Sequence, residues 1–146
     1  MINKQTPDHH DANLVLQLYD LRREEVMRRS RDAIARWFPR TWEEFIAITD
    51  PSHPNNAAWR QVSSYWEMTY SFAKHGIVNP DFLAENSAEG LFLFAKVCPH
   101  LERFRREVSP LAFQNVEWLL GASAVARQRF ELIQTRVRKM SEAARR

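Results

Sequence analysis

Residues 112–140 read AFQNVEWLLGASAVARQRFELIQTRVRKM, and this stretch decides the fold class. Small or apolar side chains recur in it at alternating spacings of four and three; they are Ala112, Val116, Leu119, Ser123, Ala126, Phe130, Ile133, Val137 and Met140. That spacing places them along one side of an α-helix. Because Ser109-Pro110 is a typical helix start, we predict one helix from Pro110 to Ala143, about 50 Å long at about 1.5 Å per residue.

A second long helix is predicted near the start of the chain. Asp8 or Asp11 can cap it, and Pro39 ends it at about Phe38. Its apolar stripe has the same alternating spacing and contains Leu16, Tyr19, Val26, Ser30, Ala33 and Trp37. We expect residues 1–10 to form a flexible tail and residues 11–146 a single helical domain, with the last turns frayed.

About three shorter helices are predicted between the two long ones. The most aromatic begins after Asn56 and ends at Gly76, and it is apolar on more than one side, which is typical of a central helix. Asn86 and Glu89 have the spacing of a loose N-terminal cap for the apolar run 91–95, which we interpret as helix. The predicted fold is therefore all-α: a helical bundle in which long first and last helices frame about three shorter helices.

Composition excludes several classes of protein. The chain has 146 residues, 45% hydrophobic and 27% charged, which is typical of a globular domain. Its three glycines are too few for a sandwich rich in tight turns or for glycine-rich phosphate loops. One cysteine, Cys98, permits no intramolecular disulfide, and no apolar stretch approaches the about 20 residues of a membrane span. We expect a cytoplasmic protein without membrane insertion.

No catalytic or metal-binding pattern emerges. His9 and His10 are neighbours, and adjacent helical positions do not face one site. Cys98 lies two residues before His100, but a lone cysteine is more often a small buried hydrophobe than a nucleophile. We therefore predict a non-enzymatic protein with no metal and no cofactor.

The leading functional hypothesis is a scaffold or protein-interaction module. The stripe of the last helix is longer than one domain of this size should cover. Its first half is expected to pair with the first helix, and its second half with another copy, giving a homodimer, or with another protein. The predicted dimer seam contains Phe130, Ile133, Val137 and Met140.

Two alternative functions remain open. Nucleic acid or another polyanion could bind the Arg-rich segments 22–40 and 127–146, with candidate residues Arg22, Arg29, Arg36, Arg136, Arg138 and Lys139. Glu25 and Asp32 instead favour a salt-bridged, solvated helix. A small molecule could bind an aromatic pocket that contains Trp66, Glu67, Tyr70 and His75, although the same aromatic residues are typical of a bundle core.

The segment from Tyr65 to Leu83 contains Tyr65-Trp66-Glu67-Met68, Phe72, His75-Gly76-Ile77-Val78 and Asp81-Phe82-Leu83. This pattern resembles a family of small all-helical bacterial proteins of unknown function. In that family an aromatic helix bearing a glutamate ends at a glycine, and a short apolar helix follows. The similarity covers residues 59–106. It implies a helical fold and supplies no catalytic residues to transfer.

Overall fold

The computed structural model describes residues 4–144, and within them it contains helices and no strand. The elements are α1 (His9–Arg22), α2 (Glu25–Ala35), α3 (Trp42–Ala47), α4 (Asn56–Lys74), α5 (Pro80–Asn86), α6 (Glu89–Val97), a 3-10 turn η1 (Cys98–His100), α7 (Leu101–Glu107), α8 (Gln114–Ala122) and α9 (Ala124–Ala144). The predicted all-α class is therefore confirmed. The arrangement differs, because both predicted long helices are broken.

The predicted first helix consists of two helices. Asp8 caps α1, as one of the two predicted caps. The chain then leaves helical geometry at Glu24, whose carboxylate accepts hydrogen bonds from the amides of Val26 and Met27 at 3.0 and 2.9 Å. A capping carboxylate stabilises a new helix start, so it offsets part of the cost of breaking the helix there. The predicted stripe was wrong in this part, because Leu16, Tyr19 and Val26 are exposed.

The predicted last helix is also broken, at Ser123. This residue is extended, and its hydroxyl accepts from the amide of Ala126 at 3.0 Å while donating to Asp81 at 2.6 Å. Ser123 therefore acts as the N-cap of α9. The helix also starts later than Pro110, because Phe113 adopts a left-handed conformation with φ of 60° just before α8.

The stripe of the last helix is buried inside this chain. α8 packs on α4, whereas α9 packs on α6 and α5. Ile133 and Val137 are only 9% and 8% exposed, and Phe130 is half-buried. The expectation that the second half of the stripe is uncovered was wrong, because the apolar helix α6 covers it. Within the predicted dimer seam, Met140 alone is exposed.

The aromatic helix α4 is central, as predicted. It packs between α2 and α8 and also contacts α5 and α6. Gly76 follows it with φ of 73°, the left-handed conformation that ends many helices. Tyr70 of α4, Leu83 of α5 and Leu91 of α6 are fully buried in the core that these helices share. This core positions α6 against both α2 and α9.

The chain ends are described only in part. Residues 1–3 of the predicted tail, and 145–146 of the predicted domain and basic segment, lie outside the described residues. Lys4 forms an ion pair with Asp11, and the side-chain amide of Asn79 donates to the Lys4 carbonyl at 2.8 Å. The flexibility of residues 1–10 stays a prediction. Across 4–144, no helix is both long and apolar enough to cross a membrane.

Candidate functional site

A cavity of about 560 Å³ opens between the segment after α2, the end of α6 and α9. We call it the α6–α9 pocket. Its walls are Phe38, Pro39, Arg40, Ala95, Lys96, Cys98, Pro99, His100, Gln134, Val137, Arg138 and Ser141. None of these residues is acidic, whereas three carry arginine or lysine side chains. The pocket therefore combines apolar surface with a positive charge balance, which suits an anion attached to an apolar body.

The two basic segments of the sequence meet at this pocket. Arg40 belongs to segment 22–40 and Arg138 to segment 127–146, and both line it. Arg40 is also ion-paired with Glu44, with 3.2 Å between nitrogen and oxygen. Arg138 makes only a 3.5 Å contact with the Thr135 hydroxyl. Arg138 is thus the more available of the two guanidinium groups.

Lys96 is the buried cation of the pocket. It is 4% exposed, and its ammonium donates to the Ile34 carbonyl at 2.5 Å. The ammonium also lies 4.8 Å and 4.9 Å from the ring centres of Phe38 and Phe92, which is cation–π geometry. Burial lowers the pKa of Lys96 to about 7, while Glu89 opposes that shift. Lys96 is therefore charged in only part of the molecules at neutral pH.

Cys98 and His100 both line the pocket, but the Cys98 thiol is not activated as a nucleophile. Burial raises the pKa of the Cys98 thiol, so the thiol stays protonated at neutral pH. Burial also lowers the pKa of His100, although its hydrogen bond to Pro39 opposes this. The His100 ring stacks on Phe45 with 5.0 Å between ring centres. This pair offers a neutral polar surface rather than an activated nucleophile.

The predicted anion-binding residues do not form one surface. Arg138 lines the α6–α9 pocket, and Arg22 lines a second, smaller cavity of about 170 Å³. The remaining four are exposed and line neither cavity; they are Arg29, Arg36, Arg136 and Lys139.

The predicted aromatic pocket is not a single site. Trp66 and Tyr70 are core residues, and the Tyr70 hydroxyl donates to the Ser87 carbonyl at 2.6 Å. Glu67 caps α8 by accepting from the amides of Asn115 and Val116 at 2.9 and 3.0 Å, and burial raises its pKa. His75 is exposed at the end of α4. The Trp66 and Tyr70 rings stack on each other with 5.8 Å between ring centres, whereas Glu67 binds the start of α8 and His75 is exposed, so the four side chains do not share one pocket.

Sequence reasoning missed Lys96. A signal was present, because Lys96 is the one charged residue in the apolar run 91–97. A lysine in such a run must bury its ammonium or extend it to a cavity. Val137 was singled out as part of a dimer seam, and it forms an apolar wall of this pocket instead. Among residues 4–144, no group of three or more histidine, cysteine or acidic side chains is placed to hold a metal ion.

Comparison with protein-family models gave one match, which spans residues 7–123 and describes DUF4760, a domain of unknown function. The chain belongs to the DUF4760 family. The expected membership of a family of unknown function is thereby confirmed, and the match extends beyond residues 59–106 on both sides. The DUF4760 match ends at the break before α9, so the α9 wall of the pocket lies outside it. Comparisons with curated proteins and with solved structures gave no match.

Proposed function

We propose that this DUF4760 protein is a non-enzymatic binding module for a small organic anion, meaning a carboxylate, sulfonate or phosphate ester on an apolar body. The observation that carries the proposal is the charge balance of the α6–α9 pocket. Arg40, Lys96 and Arg138 line it, and no carboxylate does. Of these, only Arg40 has a carboxylate partner among the described residues.

The shape and lining of the pocket support a small molecule rather than a polyanion. A volume of about 560 Å³ lies within the about 300–1,000 Å³ common for ligand pockets. Phe38, Pro39 and Val137 supply apolar walls, which a nucleic-acid backbone would leave unused. The exposed Arg29, Arg36 and Arg136 lie outside the pocket and are typical of a solvated surface.

The test uses 1-naphthalenesulfonate, whose charge is constant between pH 5 and 9, and its uncharged isostere 1-naphthalenesulfonamide. We expect isothermal titration calorimetry to give one saturable site for the sulfonate and much weaker binding of the sulfonamide. Arg138→Gln should weaken sulfonate binding about tenfold, the loss of one charge-assisted contact of about 1.4 kcal/mol.

Arg136→Gln is the matched control. Arg136 is exposed on the same helix, two residues earlier, and it does not line the pocket. It changes the net charge by the same amount as Arg138→Gln. Equal losses in the two variants would mean that net charge alone attracts the probe, and the pocket would be the wrong site. Equal binding of the sulfonate and the sulfonamide would refute anion selectivity.

Self-association remains a second candidate, and one observation favours it. Leu132 and Met140 are exposed on α9, and Leu132 is 71% exposed. A homodimer would therefore use this outer face of α9 rather than the buried seam. Native mass spectrometry of the wild type and of Leu132→Gln tests it: a dimer lost in the variant supports the hypothesis, and a wild-type monomer contradicts it.

A cytoplasmic location, where Cys98 stays reduced, completes the proposal.

A further inference from the structure

A second cavity, of about 170 Å³, lies where the α1–α2 break meets the start of α6. We call it the junction cavity. Its lining comprises Tyr19, Arg22, Arg23, Arg31, Trp66 and residues 86–89. It shares no lining residue with the α6–α9 pocket. It also lies entirely within the part of the chain that the DUF4760 match covers.

Arg22 is a buried cation without a counter-ion. It is 9% exposed, and it forms no ion pair with any carboxylate of residues 4–144. Its guanidinium lies 5.2 Å from the Trp66 ring centre and 5.5 Å from that of Tyr19. Neighbouring Arg31, by contrast, is paired with Glu89 at 2.7 Å. A buried, unpaired guanidinium is costly unless a ligand supplies the missing negative charge.

Trp66 presents a second unused donor at the same place. Its side chain is 2% exposed, and its indole Nε1 has no hydrogen-bond acceptor among the described residues. Most buried polar groups in proteins have a partner, so an orphan donor on a residue that lines the cavity is an unsatisfied group beside it. Arg22, which has no carboxylate partner, and the Trp66 indole, which has no acceptor, therefore lie side by side among the described residues.

The start of α6 adds a third feature. Asn86 and Glu89 were expected to form its cap, but Ala88 is the N-cap and no side chain caps this end. The side-chain amide of Asn86 instead donates to the Phe82 carbonyl at 2.9 Å. Residues 86–89 line the cavity, so the uncapped N-terminus of a nine-residue helix borders it. The amide groups and dipole of such an end favour an anion.

We propose that the junction cavity binds a small tetrahedral oxyanion, phosphate or sulfate. Arg22 would neutralise it, the Trp66 Nε1–H group would donate to one of its oxygens, and exposed Arg23 would add attraction from the rim. Three arginines against Glu89 leave the cavity walls net positive. The volume corresponds to about six liquid waters at about 30 Å³ each, enough for one oxyanion with a few waters. This site is separate from the organic-anion pocket and does not depend on it.

The test follows the indole N–H signals in ¹⁵N–¹H NMR spectra of the wild-type protein. The chain has five tryptophans, so four indoles serve as internal controls. Titration with inorganic phosphate at constant ionic strength, set with chloride, should move the Trp66 signal downfield and saturably. Sulfate should do the same. Equal small changes in the chemical shifts of all indole signals, or a Trp66 signal that neither anion shifts, would overturn the proposal. The cavity would then contain only water.

Two variants tie the shift to the cavity. Arg22→Gln should weaken phosphate binding at least about tenfold, because it removes a buried charge-assisted contact. Arg29→Gln, an exposed arginine outside the cavity, should leave it unchanged. If Arg22→Gln does not fold, Arg23→Gln at the rim should still weaken binding several-fold. If Arg22→Gln folds, an unchanged affinity of this variant for phosphate would overturn the proposal. If it does not fold, an unchanged phosphate affinity of Arg23→Gln would overturn it.

A glycerol 3-phosphate titration separates the two sources of this chemistry. Saturable movement of the Trp66 signal by the ester as well as by phosphate means that the cavity accepts the phosphoryl group of a larger molecule. Movement by inorganic phosphate alone means that it takes the free ion. Either pattern supports the oxyanion site, and failure of all three anions contradicts it. The outcome is independent of 1-naphthalenesulfonate binding, because the two pockets share no residue.

Discussion

Replacing Lys96 with methionine should change how the stability of this protein depends on pH. In the folded chain the pKa of Lys96 is about 7, against an ordinary value of 10.5. Between these values the unfolded chain binds a proton that the folded chain has released. The free energy of unfolding must therefore rise as pH increases through this range. Methionine fills a similar volume and cannot titrate, so the variant should lack this contribution.

The pKa difference sets the magnitude. One pKa unit corresponds to about 1.36 kcal/mol, and the linkage relation between pH 7 and 9.5 gives a rise of roughly 3 kcal/mol from Lys96. Loss of the hydrogen bond to Ile34 shifts the variant's stability by a constant amount and leaves this slope unaffected. The raised pKa of the Cys98 thiol makes the free energy of unfolding fall as pH rises. This contribution is the same in the wild type and in Lys96→Met, so it cancels in the comparison.

Urea unfolding followed by circular dichroism at pH 7, 8 and 9.5 measures the effect. We expect the wild-type free energy of unfolding to gain roughly 3 kcal/mol over Lys96→Met between the two ends of this range. Lys139→Met is the control, because Lys139 is exposed on α9 and should leave the slope as in the wild type. Parallel curves for wild type and Lys96→Met would show that the ammonium is not desolvated in the fold, and the reasoning would be refuted.

Three further predictions concern the cap of α8, the approach of α4 to α6 and the pocket charge. Glu67→Gln should lower the free energy of unfolding by about 1–3 kcal/mol in urea titrations, because glutamine has one acceptor oxygen and leaves one of the two α8 backbone amides without a partner. A loss below about 0.5 kcal/mol would contradict this role. Gly90→Ala should lower the free energy of unfolding by more than about 2 kcal/mol, because the new Cβ would lie 2.6 Å from Cζ of buried Tyr70. Gly121→Ala should be neutral or stabilising, because its new Cβ would have nothing within 4 Å. Equal thermal midpoints of the two variants would contradict this difference. Calorimetric affinity for 1-naphthalenesulfonate should fall several-fold from pH 6 to 8.5, as Lys96 loses its charge; a flat profile would show that this ammonium does not contribute to binding.

Helix content and the side that each helix buries were predictable where apolar spacing was continuous. The stripe through Val116, Leu119, Ile133 and Val137 is buried as its spacing required. The breaks were less predictable, because Glu24 and Ser123 act as caps through their side chains inside otherwise helical patterns. Local spacing cannot distinguish a solvated glutamate from a capping one, since both occur on helices.

The candidate sites depended on packing between distant segments. Arg22 and Arg138 were singled out for their charge, and each lines a cavity. Lys96 and the uncapped start of α6 were not found, because their environments are created by Ile34, Phe38 and the α1–α2 break. The choice of which helix covers α9 was also non-local: α6 is short, and its apolar run could have packed against any neighbour.

Whether an anion with an apolar body binds in the α6–α9 pocket is measured most directly by an NMR experiment that detects nuclear Overhauser contacts between 1-naphthalenesulfonate and methyl-labelled protein. We expect contacts from the naphthalene ring to the Val137 methyl groups and to Ala95, both of which line the pocket. Contacts confined to exposed apolar side chains such as Leu16 and Val26 on α1 and α2, or none at saturating probe, would contradict binding in this pocket.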